Sequence, residues 1–291
     1  MKKQKKRKID LLVISDVHLG TFGCRAKELL SYLKTVNPNT LILNGDFIDI
    51  WQFNKRYFPK SHMKVIKYIT SLLASGTKVY YITGNHDEML RKFKGFQLGS
   101  FEIVNKVVLE LDGKKAWFFH GDVFDVTMKH SKWLAKLGGM GYDFLIMLNT
   151  AVNRISEMLG KGRISLSKKI KNSVKGAIKF IDDFEETAAE IAISNGYDYV
   201  VCGHIHQPQM REISNKEGEK VMYLNSGDWI ENLSALEYNE GSWSIYEFAQ
   251  DIEVQTLSPE ELAAEKDLLK VGYKNKELFA EMVEEFQMNL L

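Results

Sequence analysis

Two hydrophobic periods alternate along the first third of this chain. Short apolar runs at Ile9–Ser15, Thr40–Leu43 and Lys78–Thr83 predict β-strands. Between them, Cys24–Val36 and Ser61–Ala74 repeat their apolar residues at helical spacing, which predicts two amphipathic helices. Strands that alternate with helices in this way indicate a parallel sheet covered by helices.

The pattern changes after residue 100. Phe101–Leu111 and Lys115–His120 flank Asp112-Gly113, a pair of residues that favours a hairpin turn. The spacing is then helical over residues 128–195. Short strands follow, predicted at Tyr199–Cys202, Gln209–Ile213, Val221–Leu224, Leu233–Tyr238 and Trp243–Phe248.

The size and composition fit one large domain. The chain has 291 residues, of which 45% are hydrophobic and 26% are charged, so it can bury a proper core. We expect a single domain over residues 9–257, with a helical insertion at about 128–195. A basic tail, residues 1–8, precedes this domain, and a helical extension, residues 258–291, follows it.

The net charge of +1 conceals an uneven distribution. Residues 2–8 are almost wholly basic, and the stretch 128–180 is rich in lysine and arginine. Cys24 and Cys202 form neither a disulfide framework nor a zinc CxxC pair, which fits a reducing cytosol. No run has the form of a signal peptide or the length of a membrane span, so we expect a cytoplasmic protein.

Polar clusters lie where the predicted strands end, the edge at which open α/β sheets bind ligands. The clusters are Ser15-Asp16-Val17-His18, Asn44-Gly45-Asp46 with Asp49, Gly84-Asn85-His86-Asp87, His120-Gly121-Asp122 and Gly203-His204-Ile205-His206. They contain all but two of the seven histidines, a concentration that chance motifs would not produce. The other two, His62 and His130, are expected to be ordinary residues of helix surfaces.

These side chains suit a site for two divalent metal ions. Asp16 and His18 are separated by one residue, which places both on one face of a strand end, and His204 and His206 repeat this spacing. Two neighbouring ions need a shared ligand, and the carboxylate of Asp46 is the candidate for it. The further donors are Asn85 and His120. Nitrogen and oxygen ligands without thiolates favour Mn²⁺, Fe or Zn²⁺.

The ordered motifs D-x-H, G-D-x-x-D, G-N-H-D, H-G-D and G-H-x-H resemble those of the calcineurin-like metallophosphoesterase superfamily, over about residues 9–250. The resemblance implies an α/β fold: a four-layer α-β-β-α sandwich of two mixed sheets, here with a helical insertion. It also implies two ions, ligated by Asp16, His18, Asp46 and His206 and by Asp46, Asn85, His120 and His204. His86 would be catalytic and Asp49 would orient it, while a hydroxide between the ions attacks phosphorus.

Motif spacing and the place of the insertion resemble the UDP-2,3-diacylglucosamine pyrophosphatase branch of that superfamily. This branch hydrolyses the diphosphate of a lipid A precursor at the inner face of the cytoplasmic membrane, commonly with Mn²⁺. It carries Arg after the motif Asn, where this chain carries His86 as the wider superfamily does. The expected substrate contacts are Asn85, His86, Arg154, Arg163, Lys168 and Lys169.

Other substrates and roles stay open from the sequence. A soluble nucleotide or another small phosphoester is the main alternative, and a non-catalytic metal-binding scaffold is a lesser one. The insertion suits an amphiphile with a phosphorylated head, or it is a helical cap with solvated lysines. The basic tail suits an anionic membrane surface or a solubilising role. No nucleic-acid motif is present, and the oligomeric state is left open.

Overall fold

A computed structural model describes residues 6–50, 58–126 and 166–251. Its α-helices are α1 (Ala26–Thr35), α2 (Lys60–Ala74) and α3 (Leu166–Ser194). Its strands up to residue 119 are β1 (Arg7–Ile14), β2 (Val36–Asn44), β3 (Lys78–Ile82), β4 (Gln97–Leu98), β5 (Phe101–Val104), β6 (Lys106–Leu111) and β7 (Lys114–Phe119). The later strands are β8 (Tyr199–Cys202), β9 (Gln209–Ser214), β10 (Lys220–Asn225), β11 (Ser234–Asn239) and β12 (Ser242–Glu247). Short 3₁₀ helices cover Glu88–Phe93, Asp122–Val126 and Phe248–Gln250.

The described strands form two mixed sheets. One has seven strands in the order β12-β11-β1-β2-β3-β5-β4, and its central strands β1, β2, β3 and β5 run parallel. The other has five strands in the order β6-β7-β8-β10-β9, with β7, β8 and β10 parallel. In each sheet, the parallel strands bring their carboxyl ends to one edge.

Three hydrophobic interfaces give the four layers. Leu29 of α1 and Val65 of α2 pack on one face of the larger sheet. The two sheets meet face to face, and Phe184 of α3 packs on the outer face of the smaller sheet. Each fully buried Leu or Phe in these layers contributes about 2 kcal/mol relative to an exposed one. The expected α-β-β-α sandwich is thereby confirmed.

Strand β1 shows why its sequence is almost continuously apolar. Leu12 and Ile14 belong to the core beneath α1 and α2, whereas Leu11 and Val13 belong to the core between the sheets. Successive side chains of a strand point to opposite faces, and here both faces are covered. The strand ends at Ile14, and the buried Ser15 and then Asp16 follow at the edge of the sheet.

The segment Phe101–Leu111, predicted as one strand, is two strands in two different sheets. β5 pairs in parallel with β3, and β6 pairs antiparallel with β7 across the predicted hairpin turn at Asp112-Gly113. The chain passes from one sheet to the other at Asn105, whose side chain accepts a hydrogen bond from Thr83. Because apolar residues continue on both sides of this position, the pattern alone gave no signal for the crossing.

The prediction that His62 lies on a helix surface is wrong. The buried residues of α2 are His62, Val65, Ile69 and Leu72, so His62 shares the packed face of the helix. His62 is only 2% exposed. Its imidazole is buried because α2 covers the loop that follows β1. In that loop, the backbone N–H of Gly20 donates a hydrogen bond to His62.

Several predicted segments lie outside the described residues. They are the start of the basic tail, the insertion up to residue 165, with His130, and the whole of the extension 258–291. The rest of the insertion is the helix α3, 29 residues long. The proposed domain boundaries therefore stay predictions. Among the described helices, none combines the length and the apolar composition needed to cross a bilayer.

Candidate metal centre

The polar clusters meet at one edge of the sandwich. Asp16 follows β1, Asp46 follows β2, and Asn85 follows β3 of the larger sheet, while His120 follows β7 and His204 follows β8 of the smaller one. Backbone hydrogen bonds join the loops: Asp16 N donates to Gly45 O (3.1 Å) and Gly203 N donates to His120 O (2.9 Å). The ends of parallel strands from two sheets therefore converge on a single site.

The side chains form three overlapping groups of metal-ligating atoms. The groups are Asp16, His18 and His206; His18, Asp46 and His86; and Asp46, His120 and His204. Within each group, one ligand atom per residue lies within 4.8 Å of the others. Asp46 belongs to two groups, and its Oδ2 lies 3.9 Å from His18 Nε2 and 3.3 Å from His120 Nε2. Its carboxylate thus stands between the two sets of donors.

Two orphaned nitrogens show that this donor set fits divalent cations. The Nε2 atoms of His18 and His120 are buried and have no hydrogen-bond partner among the described residues. His120 Nδ1 lies 2.9 Å from Asn44 O and donates to it, which leaves Nε2 beside Asp46 as the atom that could bind a metal. Leaving a buried polar atom unsatisfied costs about 1–3 kcal/mol, and a cation between these atoms would remove that cost.

The ligating residues occupy a strained backbone conformation. Asp16, His18, Asp46, His204 and His206 have φ between 51° and 68°, in the left-handed region that non-glycine residues rarely adopt. Among the described non-glycine residues, only three others have a positive φ. Such strain persists where the surroundings over-determine it, and it clusters at functional sites. Nothing in the sequence pattern announced it.

Two motif glycines leave room for the carboxylates. A Cβ on Gly203 would lie 2.6 Å from Asp16 Oδ2, and a Cβ on Gly84 would collide with Asp46 Oδ1. The peptide N–H groups beside them bind the same side chains: His204 N donates to Asp16 (3.0 Å) and His86 N donates to Asp46 (2.8 Å). The glycines of these two motifs therefore allow the backbone to approach a carboxylate closely.

The carboxylates remain ionised despite burial. Burial by itself would raise the pKa of Asp46, but His120 beside it holds that pKa well below the usual range. Asp16 behaves in the same way, chiefly because of His206. In return, burial would lower the pKa of His206, but Asp16, 3.1 Å away, raises it to about 9. In the metal-free site, protons on imidazoles supply the positive charge that cations would supply.

His86 is the most accessible of the histidines in the His18, Asp46 and His86 group. Its Nδ1 lies 2.9 Å from Oδ2 of Asp49, a buried carboxylate, and its side chain is 31% exposed. Burial lowers the pKa of His86, but the hydrogen bond to Asp49 and the negative charges of Asp46, Asp49 and Asp16 together outweigh burial, and the net shift is upward. The same Asp49 oxygen lies 3.4 Å from His18 Nδ1. Asp49 therefore contacts both rings, which meet edge to face.

Sequence reasoning missed two carboxylates that hold these loops. Asp87 accepts hydrogen bonds from Tyr81 Oη (2.6 Å), Phe47 N (3.0 Å) and Gly84 N (2.6 Å), and it thereby ties the second motif to the third. Asp228 is fully buried, with Oδ2 4.0 Å from His206 Nδ1. It follows β10 in Ser226-Gly227-Asp228, so the rule that polar residues gather at strand ends would have found it.

The predicted substrate contacts are only partly placed. Asn85 and His86 lie at the centre. Lys168 and Lys169 fall in the first turn of α3, and Arg154 and Arg163 are outside the described residues. All of these contacts stay predictions.

Comparison with known proteins gives a family match. The model of the calcineurin-like phosphoesterase family matches residues 9–208. The chain is 24% identical over 242 residues to the UDP-2,3-diacylglucosamine hydrolase of Aliivibrio fischeri, covering 81% of this chain and 97% of that protein. The enzyme of the same name from Blochmanniella pennsylvanica is 25% identical over 237 residues, covering 80% and 93%. Among solved structures, a novel archaeal phosphodiesterase aligns over 81% of this chain and 98% of its own, with 15% identity and a TM-score of 0.41.

Proposed function

The chain belongs to the calcineurin-like phosphoesterase family and is a metal-dependent phosphoester hydrolase, and we propose that its centre holds two divalent ions that share Asp46. The observation that carries this proposal is the membership of Asp46 in two groups of ligating atoms. A carboxylate has two oxygens and can serve an ion on each side. When bound, such a pair of cations acts as a Lewis acid toward phosphoryl oxygens and lowers the pKa of water.

The proposed ligands divide between the two sheets. The first ion would be held by Asp16, His18 and His206 with Asp46, and the second by Asn85, His120 and His204 with Asp46. The orphaned Nε2 atoms of His18 and His120 support one nitrogen ligand on each side of Asp46. Nitrogen and oxygen donors without thiolate fit Mn²⁺ first, with Fe and Zn²⁺ as alternatives.

His86 is proposed as the proton donor to the leaving oxygen. Its Nδ1–H donates to Asp49, which fixes the ring and leaves Nε2–H for a substrate. The carboxylate also favours the imidazolium form, as the raised pKa indicates. A positioned acid of this kind stabilises a departing alkoxide or phosphate by protonating it as the bond breaks.

The proposed substrate is a UDP-2,3-diacylglucosamine-like lipid diphosphate. Two relatives with that activity in their names are matched over more than nine-tenths of their own length, which supports this proposal. Cleavage of the diphosphate would release a lipid monophosphate and UMP. Such an enzyme would work at the inner face of the cytoplasmic membrane as a peripheral protein.

A soluble phosphodiester is the second candidate. The observation that favours it is His86 itself, which occupies the motif position where the lipid branch carries Arg. An imidazole hydrogen-bonded to a carboxylate is an acid–base group, whereas a guanidinium is a permanent cation that cannot donate a proton at neutral pH. That chemistry is independent of acyl chains.

A substrate panel with added Mn²⁺ tests these proposals. We would compare UDP-2,3-diacylglucosamine, UDP-N-acetylglucosamine, bis-p-nitrophenyl phosphate, p-nitrophenyl phosphate and cyclic nucleotides by kcat/KM. A preference of at least 100-fold for the acylated sugar nucleotide over its unacylated analogue would support the lipid substrate. Equal or better turnover of the soluble diester would reject it in favour of the second candidate. The Asp46→Asn variant should lose bound metal and all of these activities together.

A further inference from the structure

His62 is a buried histidine outside the proposed ligand set. It lies in the first turn of α2 and is 2% exposed. Its Nδ1 accepts a hydrogen bond of 2.9 Å from the backbone N–H of Gly20. Gly20 is 42 residues away in the sequence and lies in the loop that carries Asp16 and His18. A helix on the outer layer is thus connected directly to the loop of the first proposed ion.

The contact fixes the chemical form of His62. An N–H donor requires a lone pair on Nδ1, so the ring is neutral with its proton on Nε2. Burial lowers the pKa of His62 to about 4, which keeps this form at neutral pH. The ring of Phe58 meets it edge on, with centroids 5.4 Å apart. His62 therefore acts as a fixed acceptor in a packed setting.

The loop needs to be held because its backbone is strained. Asp16 and His18 have φ of 51° and 52°, and Gly20 has φ of 107°. Non-glycine residues in this region cost of order 1–3 kcal/mol each, so surrounding contacts must maintain them. His18 N and Leu19 N donate to the backbone after β2, at Asp46 O and Phe47 O (both 2.9 Å). The hydrogen bond from the Gly20 N–H to His62 adds a contact between this loop and α2, two residues after His18.

We propose that His62 is a positioning residue: through Gly20, it holds the Asp16–His18 loop in the conformation that binds the first ion. This inference rests on the two-ion proposal above and adds a residue that touches neither ion nor substrate. The second ion's proposed ligands His120 and His204 follow strands of the other sheet, so His62 should affect one site and spare the other.

Three substitutions separate the hydrogen bond from packing. His62→Asn places an amide oxygen where Nδ1 stands, His62→Gln places one where Nε2 stands, and His62→Leu provides bulk without an acceptor. The matched control is Ile69→Ala, which removes packing from the same buried face of α2, seven positions farther along the helix. Each metal-free protein would be titrated with Mn²⁺, and free Mn²⁺ would be counted by EPR. Turnover of bis-p-nitrophenyl phosphate would be followed in parallel.

We expect wild type and His62→Asn to bind two Mn²⁺ with affinities that agree within about threefold. His62→Gln and His62→Leu should bind one Mn²⁺ normally and the other about tenfold more weakly, the lower end of what outer-shell partners of ligands contribute. Ile69→Ala should melt earlier but bind both ions as wild type does. The inference is overturned if Gln and Leu match wild type, or if Asn is as weak as Leu.

A measurement on the wild-type protein tests the same hydrogen bond and does not depend on whether the variants fold. In metal-free wild type, the ¹⁵N shift of His62 Nδ1 should be that of an unprotonated acceptor from pH 6 to 8, and the Gly20 amide should exchange slowly with solvent. A protonated Nδ1 or a rapidly exchanging Gly20 amide would reject this hydrogen bond. Failure of wild type to bind two Mn²⁺ would instead reject the two-ion proposal, so the two failures are distinguishable.

Discussion

At the residue scale, one buried carboxylate organises two imidazoles with different proposed roles. Asp49 Oδ2 lies 2.9 Å from His86 Nδ1 and 3.4 Å from His18 Nδ1. His18 belongs to two of the three groups of ligating atoms, while His86 is 31% exposed. A single residue thus couples the orientation of a ligand to that of the proposed acid.

His86→Ala should separate metal binding from turnover. We expect the variant to retain two Mn²⁺, because Asp16, His18 and His206 still form a complete group without it. Turnover of a diester with a poor leaving group should fall by about 10²–10⁴-fold, the usual contribution of a positioned acid. Metal analysis and kcat would be measured together. The control is a substrate with p-nitrophenolate as the leaving group. This group needs little protonation, so turnover of the control should fall much less. An equal loss of turnover on both substrates would contradict the acid role.

The raised histidine pKa values predict that the stability of the metal-free protein depends on pH. Asp16 raises the pKa of His206 from its usual 6.5 to about 9 in the folded, metal-free protein. A group whose pKa is higher in the folded state stabilises that state fully below its unfolded pKa and loses this contribution as pH rises through its folded pKa. The shifts of His120 and His86 have the same direction.

The melting temperature of the metal-free protein should therefore fall between pH 6.5 and 9.5. His206→Gln should show a shallower fall over the same window, because its amide does not titrate. With Mn²⁺ present the trend should reverse, since binding must displace those protons and becomes stronger as pH rises. Differential scanning fluorimetry in chelator and in Mn²⁺ measures both. A melting temperature of the metal-free protein that stays constant from pH 6.5 to 9.5 would contradict the raised histidine pKa values.

At the element scale, the sequence predicted which polar clusters would meet, because each cluster follows the end of a strand. The polar clusters after β1, β2, β3, β7 and β8 met as expected from the parallel arrangement of strands. Sequence periodicity could not predict the crossing at Asn105, where apolar residues continue from one sheet into the other. It also could not place His62, a polar residue that shares the packed face of α2. The positive φ of five ligands depends on tertiary contacts alone.

Helix α3 packs beside the candidate metal centre through Phe184. This side chain is fully buried against Phe124, with its ring 6.3 Å from that of His204. Gly121, which follows His120, has φ of 125°, and a Cβ there would lie 2.6 Å from Phe184 Cζ. Position 121 therefore excludes a side chain for two reasons, the backbone conformation and the neighbouring ring.

Gly121→Ala should destabilise the fold by about 2–4 kcal/mol, the sum of an unfavourable φ and an overpacked contact. Urea unfolding of the metal-free protein measures the change. In the double variant with Phe184→Leu, the two losses should be less than additive, because the smaller side chain relieves the clash while the φ strain remains. Gly95→Ala is the control for conformation alone, since φ there is 88° and nothing lies within 4 Å of the added Cβ. Strict additivity of the two changes would show that Gly121 and Phe184 do not compete for space.

At the scale of the whole molecule, the metal centre and the basic tail lie at opposite ends of β1. The strand begins at Arg7, next to Lys6 and Lys8, and its other end delivers Asp16. Eight residues of strand at about 3.3 Å each span about 25 Å. Lys6 and Lys8 therefore lie about 25 Å along the strand from the end that carries Asp16.

This separation predicts what neutralising the tail should do. In a variant with Lys2, Lys3 and Lys5 changed to Gln, binding to phosphatidylglycerol vesicles should weaken, since each lysine near an anionic surface contributes about 1 kcal/mol. The kcat/KM for bis-p-nitrophenyl phosphate, and for UDP-2,3-diacylglucosamine presented in neutral detergent micelles, should stay within twofold of wild type. Vesicle sedimentation and steady-state kinetics on the same preparations measure the two effects. A parallel loss of kcat/KM in micelles would mean that the tail contacts the substrate, contrary to the separation along β1. Unchanged vesicle binding would mean that the tail is a solubilising segment.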